Sequence, residues 1–447
     1  MGSTADGQGY DVVIRNGRVM DPETRLDAAG LNVGIRGKTI IAITNQPLAG
    51  RLEIDAASRV VAPGFIDILS YNPNSYGVWY KLADGVTTNL AMHGAPGTDG
   101  DMKAWYRIHA RQRPPVHFGG AFLYGAARIK LGVGNYRAAT PTQLARLVTL
   151  FERALEDGAL GISLSLEYEP GISDAELQAM MGVARRYQVP VFFHVRYSTV
   201  EPPGTNFDAL REVLSLARRT GVTVHIEHIT STGGTFSMPE SLRLLQAARD
   251  EGLDVTACAY PYPYWGSPLN SARFSKGWQR RFHIDYGDLQ LAGSAERLTP
   301  SSFRQYRRKG KLAVAYAILE PGNNNHPRAA GTFTRTLGVY VRERRVLTLM
   351  EALEKITLLP ARRLQAQAPA LRRKGRLQVG ADADVVVFDP EKVSDRATAE
   401  HPNRFAVGID YVLVAGKVVK DPEGFHKEIR LGEAITNSRK SKVESRK

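Results

Sequence analysis

Between residues 140 and 260 the chain alternates helix-type and strand-type segments at a nearly constant spacing. That alternation restricts the available folds more than any other feature. TPTQLARLVTLFERALEDG (140–158) carries apolar residues at helical spacing, and ALGISLSL (159–166) reads as a strand. SDAELQAMMGVARRYQ repeats the helical pattern, opened by Ser173 with Glu176 three residues on, the signature of a capping box. VPVFFHV, VTVHIEHI and LDVTACAYPY read as strands, separated by the helical stretches FDALREVLSLARRTG and PESLRLLQAARDEG. Strands joined through helices run parallel. Several such units in one domain predict a (β/α)8 TIM-like barrel, whose sites lie at the C-terminal strand ends.

The two ends of the chain have another texture. YDVVIRNGRVMDP and LNVGIRGKTIIAI near the start, and GADADVVVFDP and IDYVLVAGKVVKD near the end, are short apolar strands broken by Gly and Asp-Pro turns. They predict one small β-sandwich assembled from both termini. The expected division is 1–62 and 371–430 for the sandwich and 63–370 for the barrel, with a basic insertion near 268–312. Residues 431–447 are expected to form a disordered basic tail.

Composition excludes several classes. No apolar run approaches the roughly 20 residues of a membrane span. The polar N-terminus lacks a signal-peptide pattern. A single cysteine, Cys258, excludes an internal disulfide framework, so a cytoplasmic location is expected. The net charge of +14 gathers in RFSKGWQRRFH (273–283), QYRRKGK (305–311) and the tail. No nucleic-acid recognition motif accompanies it, so the charge reads as a surface that steers small anions rather than as a polyanion site. The expected partner is a small anionic molecule, and a homo-oligomer stays open.

Three histidines fall at strand ends: His93 in DGVTTNLAMHGAPG, His194 closing VPVFFH and His228 closing VTVHIEH. Imidazole is the commonest protein metal ligand, and three protein ligands with one open position make a catalytic zinc site. His225, an odd number of residues before His228, is expected on the opposite strand face, between barrel and helices. His109, His117, His283, His401 and His426 lack such placement.

The order and spacing of DVVIRNGRVMDP, VVAPGFID, DGVTT, LEDGALGISLSLEYEPG, HVR, AYPY, NNNHPRAAGTFTRTLGVYVRE, ALEKITLLPARRL, GADADVVVFDP and VLVAGKVV resemble the N-acyl-D-amino-acid deacylase (D-aminoacylase) branch of the amidohydrolase superfamily over nearly the whole chain. The resemblance implies a metal-dependent barrel with a β-sandwich from both termini. It also implies departures. The family's two metal-binding histidines after PGFID fall on Leu69 and Tyr71. Its bridging cysteine falls on Gly94, or on His93 if one residue is deleted. Its next two ligands fall on His194 and His228. The aspartate upstream of HPR, ligand and general base, has its place near Tyr316 or Ala317, with no carboxylate until Glu320. The groups that hold the substrate's carboxylate match Arg328, Tyr260 and Ser267, while a family lysine is Thr230 here.

Two readings follow. In one, the chain is a divergent amidohydrolase acting on the amide of an N-acyl amino acid or related carboxylate. It uses one zinc on His93, His194 and His228, and Glu320, Tyr316 or Tyr71 stands in for the missing base. In the other, it is a repurposed or inactive relative that binds a carboxylate, or performs a non-hydrolytic biosynthetic step, without a metal.

Overall fold

The computed structural model describes residues 9–95, 101–309, 312–313 and 325–438. Strands β1 (Tyr10–Asp21), β2 (Leu26–Arg36), β3 (Thr39–Thr44), β4 (Gly50–Asp55) and β5 (Val60–Pro63) open the chain. Next come β6 (Phe65–Asp67), β7 (Val86–Ala91), β8 (His117–Gly120), β9 (Phe122–Leu123), β10 (Ile162–Ser165), β11 (Val191–His194), β12 (Val224–Ile226) and β13 (Val255–Ala257). The pair β14 (Ser267–Pro268) and β15 (Leu312–Ala313) precedes β16 (Val385–Phe388), β17 (Ile409–Val414), β18 (Lys417–Asp421) and β19 (Gly424–Phe425).

The first five and last four strands share one sheet, in the order β19-β18-β17-β16-β5-β1-β2-β3 with β4 on β1. The chain ends meet where β16 pairs antiparallel with β5, Val385 opposite Pro63 and Phe388 opposite Val60. Alternate residues of these strands serve two cores. Val61, Val385 and Val387 pack with Val12, Ile14 and Ile35 inside the sheet's own fold. Val60, Ala62, Val386 and Phe388 pack against Trp79, Leu82 and Leu337 of the barrel's helices. Burial on both faces explains why VVVF shows no polar alternation.

Strands β6, β7 and β8 are parallel, as are β9 to β13. Only Ala121 separates β8 from β9. The Leu160 N–H donates to Gly120 O and the Phe122 N–H to Gly161 O, so the two segments act as one bent strand and the two sheets continue into each other. The intervening helices bury apolar stripes on the barrel's outer face; in helix 206–220 these are Ala209, Leu210, Val213, Leu214 and Ala217. Capping boxes at Thr140–Gln143, Ser173–Glu176 and Thr205–Asp208 open three of them.

Inside the barrel, Ile66, Leu90, Leu160 and Phe192 pack with Ala361, Leu364 and Leu371 from the C-terminal helices. Ile435 joins this cluster. The Phe118 N–H donates to Glu433 O, the Ile435 N–H donates to Phe118 O, and Ile435 is buried. Residues 431–438 therefore seal the barrel instead of starting a loose tail, because an apolar side chain and strand-like hydrogen bonds hold them. The insertion forms its own aromatic cluster from Phe274, Trp278, Phe282 and Phe303, with Trp265 packed against it.

Candidate active site

The ring of His93 stands 5.3 Å from that of His228 and 6.2 Å from that of His194, and the latter two are 4.8 Å apart. Each arrives by a different route. His194 ends β11 on the face shared with Phe192, so strand alternation aims it inward. His93 follows β7 by two residues in a turn where Gly94 takes φ 103°. The choice between positions 93 and 94 is thereby resolved in space: His93 enters the cluster and Gly94 makes the turn. His228 follows β12 by two residues. Ile226 faces the outer helices, so regular alternation would turn His228 outward as well. Its backbone instead takes φ 29° and brings the ring in.

The same irregularity reverses the expectation for His225. Its ring lies on Phe192 at 4.6 Å, and its Nδ1 meets Thr256 Oγ1 at 2.8 Å. His225 is thus inside the barrel, below the site, rather than between barrel and helices. It was His228, not His225, that left the strand's regular pattern.

Sequence reasoning missed Glu227, which lies between these histidines on the inward face. It is fully buried, with Ser163 Oγ donating to Oε1 at 3.0 Å and Oε2 in contact with His93 Nδ1. Ligand atoms of His93, His194 and Glu227 lie within 4.8 Å of one another, and His228 Nε2 is 2.9 Å from His194 Nδ1. The other nitrogen of His194, Nε2, meets Glu167 Oε2 at 2.7 Å. Burial alone would raise the Glu167 carboxyl, but Arg273 and His194 outweigh it and hold it down at about 2. Burial lowers His194, against the pull of Glu167, and drives His228 well below its ordinary value. These two imidazoles are therefore neutral near neutral pH, the form that ligates metals. A carboxylate fixing the far nitrogen is the usual support of a metal-binding histidine. The donor set thus fits a zinc ion. Burial pushes the Cys258 thiol up to about 12, so it is a neutral acceptor of the His228 N–H and no thiolate ligand.

Of the positions departing from the family pattern, Leu69 packs against the barrel-floor cluster, and Tyr71 sets its ring edge-on to His93 at 5.1 Å. Glu320 and Tyr316 lie outside the described residues. The Thr230 hydroxyl is buried without a hydrogen-bond partner among the described residues.

The residues expected to hold a carboxylate adjoin the cluster along two threads. The Tyr260 ring lies 6.4 Å from His228 and 4.8 Å beneath the Arg328 guanidinium, and its hydroxyl is buried and unpartnered among the described residues. The Tyr168 ring lies 4.6 Å from His194, and its hydroxyl meets Ser267 Oγ at 3.2 Å. Tyr168 and His326, whose Nδ1 accepts the Arg328 N–H at 3.0 Å, also went unnoticed in sequence.

A model of the amidohydrolase family matches residues 323–420. The chain is 32% identical to the N-acyl-D-glutamate deacylase of Alcaligenes xylosoxydans xylosoxydans over 92% of its own length and 93% of the relative. It is 29% identical to the D-aminoacylase of the same organism, over 95% and 97%. Among solved structures it resembles N-acyl-D-glutamate deacylase from Bordetella bronchiseptica, complexed with zinc and a phosphonate mimic of the tetrahedral intermediate. The TM-score is 0.79 at 26% identity, covering 96% of this chain and 100% of that one. A D-aminoacylase structure superposes with a TM-score of 0.81 at 24% identity over 96% and 100%, a likeness of fold.

Proposed function

Because the chain belongs to the D-aminoacylase family of the amidohydrolase superfamily, hydrolases of carbon–nitrogen bonds other than peptide bonds, we propose that it cleaves the amide of an N-acyl-D-amino acid with a single metal ion. The observation that carries this reading is the convergence of His93, His194 and His228 beside Tyr260, which links them to Arg328. His93, His194 and His228 would hold the ion, with Glu227 offering a further oxygen. A zinc ion so held supplies an acidified water and polarises a carbonyl.

The remaining work belongs to the chain. Arg328 presents a planar fork suited to the substrate's carboxylate. The Tyr260 hydroxyl, unpartnered among the described residues, completes the clamp together with Ser267 Oγ. Glu167 keeps the proton of His194 on Nε2, so that the lone pair of Nδ1 faces the cluster, where His228 Nε2 lies 2.9 Å away. Cleavage requires a proton at the leaving nitrogen; Glu320, Tyr316 and Tyr71 are the candidate carriers, and Tyr71 stands against His93.

The test is metal content together with hydrolysis of an N-acyl-D-amino-acid panel. About one zinc per chain is expected, with zinc and activity both lost in His93→Ala. Zinc-loaded protein that cleaves no member of the panel would overturn the reading. It would favour a barrel that binds carboxylates without hydrolysis, the alternative supported by Leu69 and Tyr71, which supply no second-metal ligands.

A further inference from the structure

We infer that Arg273, carried by the insertion, is a positioning residue for the histidine cluster. It fixes Glu167 so that His194 keeps its proton on Nε2 and turns Nδ1 to the site. The inference builds on the one-metal reading above.

Arg273 is buried in a short turn, Ala272–Phe274. Phe274 anchors the turn in the insertion's own core, its ring centroid 5.4 Å from Trp278 and 5.7 Å from Phe303. The guanidinium lies 4.7 Å from the Trp265 ring and 5.4 Å from Phe282. Its Nε and Nη2 donate to Glu167 Oε2 at 3.1 and 2.6 Å, and Nη2 also reaches Ser198 Oγ at 2.9 Å and Ser231 O at 2.7 Å. Ser198 Oγ donates to the same Glu167 oxygen at 2.8 Å. Arg273 Nη2 therefore ties the insertion to the loops after β10, β11 and β12, and one of its acceptors, Glu167 Oε2, is the atom that also meets His194 Nε2.

An ionised carboxylate only accepts, so the imidazole must donate from Nε2 and its lone pair must sit on Nδ1. Without Arg273, Glu167 would be a buried charge lacking its cation, a costly arrangement that relaxes by movement or neutralisation. The other ring partner, His228 Nε2 at 2.9 Å from Nδ1, can donate or accept and so fits either His194 tautomer. Seating of the insertion and readiness of the site are one coupled event. By linkage, a metal held at Nδ1 favours the seated insertion to the same extent.

The experiment uses the full chain and two readouts: zinc affinity by chelator competition, and the His194 tautomer by 15N-histidine NMR of the metal-free protein. Arg273→Met should weaken zinc binding about 10–100-fold, the usual effect of removing such a support, and should lose the Nε2–H signature. Glu167→Met, which leaves no acceptor for the His194 Nε2–H, should do the same. Unchanged affinity and tautomer in a folded Arg273→Met would overturn the inference. If that variant does not fold, unchanged values in Glu167→Met overturn it. Wild-type protein that fails to bind zinc overturns the one-metal reading instead, and the metal-free tautomer still decides the role of Arg273.

Discussion

Leu123 fills the space that a side chain on Gly94 would need: a Cβ there would stand 2.5 Å from Leu123 Cδ1, and Gly94 already takes φ 103°. The turn that delivers His93 thus depends on a residue without a side chain. Gly94→Ala should cost about 1–3 kcal/mol from the positive φ alone and should lower bound zinc by displacing His93. Adding Leu123→Ala should remove the Cδ1 contact but leave Leu123 Cβ 2.8 Å from the new Cβ and the backbone strain in place, so recovery should be incomplete. Thermal unfolding and metal analysis of both variants check this; unaltered zinc and melting temperature in Gly94→Ala would speak against it.

Arg328 has no carboxylate partner among the described residues, only the Tyr260 face and aromatic neighbours around His326. Losing a charge-assisted bond to substrate costs about 1.5–3 kcal/mol. Arg328→Ala should therefore lower kcat/KM for N-acyl amino acids roughly ten- to hundredfold, chiefly through KM, with zinc content intact. Arg328→Lys should restore only part, since ammonium cannot form the paired contact. Steady-state kinetics with an amide lacking the carboxylate provides the control: that substrate should not distinguish the variants.

Much of the site was legible because barrel strands obey simple parity. His194 follows from VPVFFH, and the use of both chain ends in one sheet follows from their strand-and-turn texture. His228 was placed at the right strand end for an incomplete reason, since its inward course depends on a left-handed backbone residue that no periodicity reveals. The same blind spot sent His225 to the wrong side and hid Glu227, though strict alternation from Phe192 and its paired neighbour His225 would have placed both inward. Glu167 and Arg273 were not legible at all. They are 106 residues apart, and their pairing exists only once the insertion folds back.

His225 carries an acid-sensitivity of its own. Burial, helped by the Arg363 charge, drops its value to about 3 from an ordinary 6.5. A histidine depressed in the fold contributes stability that is complete above 6.5 and is lost as pH falls toward the folded value. The loss approaches 1.4 kcal/mol per pH unit at most. His225→Phe, which retains the stacking on Phe192, should flatten the dependence of melting temperature on pH between 6 and 4. An equally steep slope in the variant would assign acid lability to other groups.

Glu169 should show the opposite sign. It is buried against Gly125, its Oε2 has no hydrogen-bond partner among the described residues, and burial raises its carboxyl to about 8. A carboxyl raised in the fold imposes no penalty below its unfolded value of about 4.5. As pH climbs through the interval up to 8, folding must hold a proton that the unfolded chain releases, and stability falls. Glu169→Gln keeps the shape and removes the titration. It should match the parent at pH 4.5 and exceed it increasingly toward pH 8, by roughly 1–3 kcal/mol once relaxation of the site is allowed for. Denaturant unfolding at the two pH values measures the difference directly. A gain equal at both, or a loss at pH 8, would mean that the carboxyl is ionised in the fold and paired with the Arg128 charge nearby.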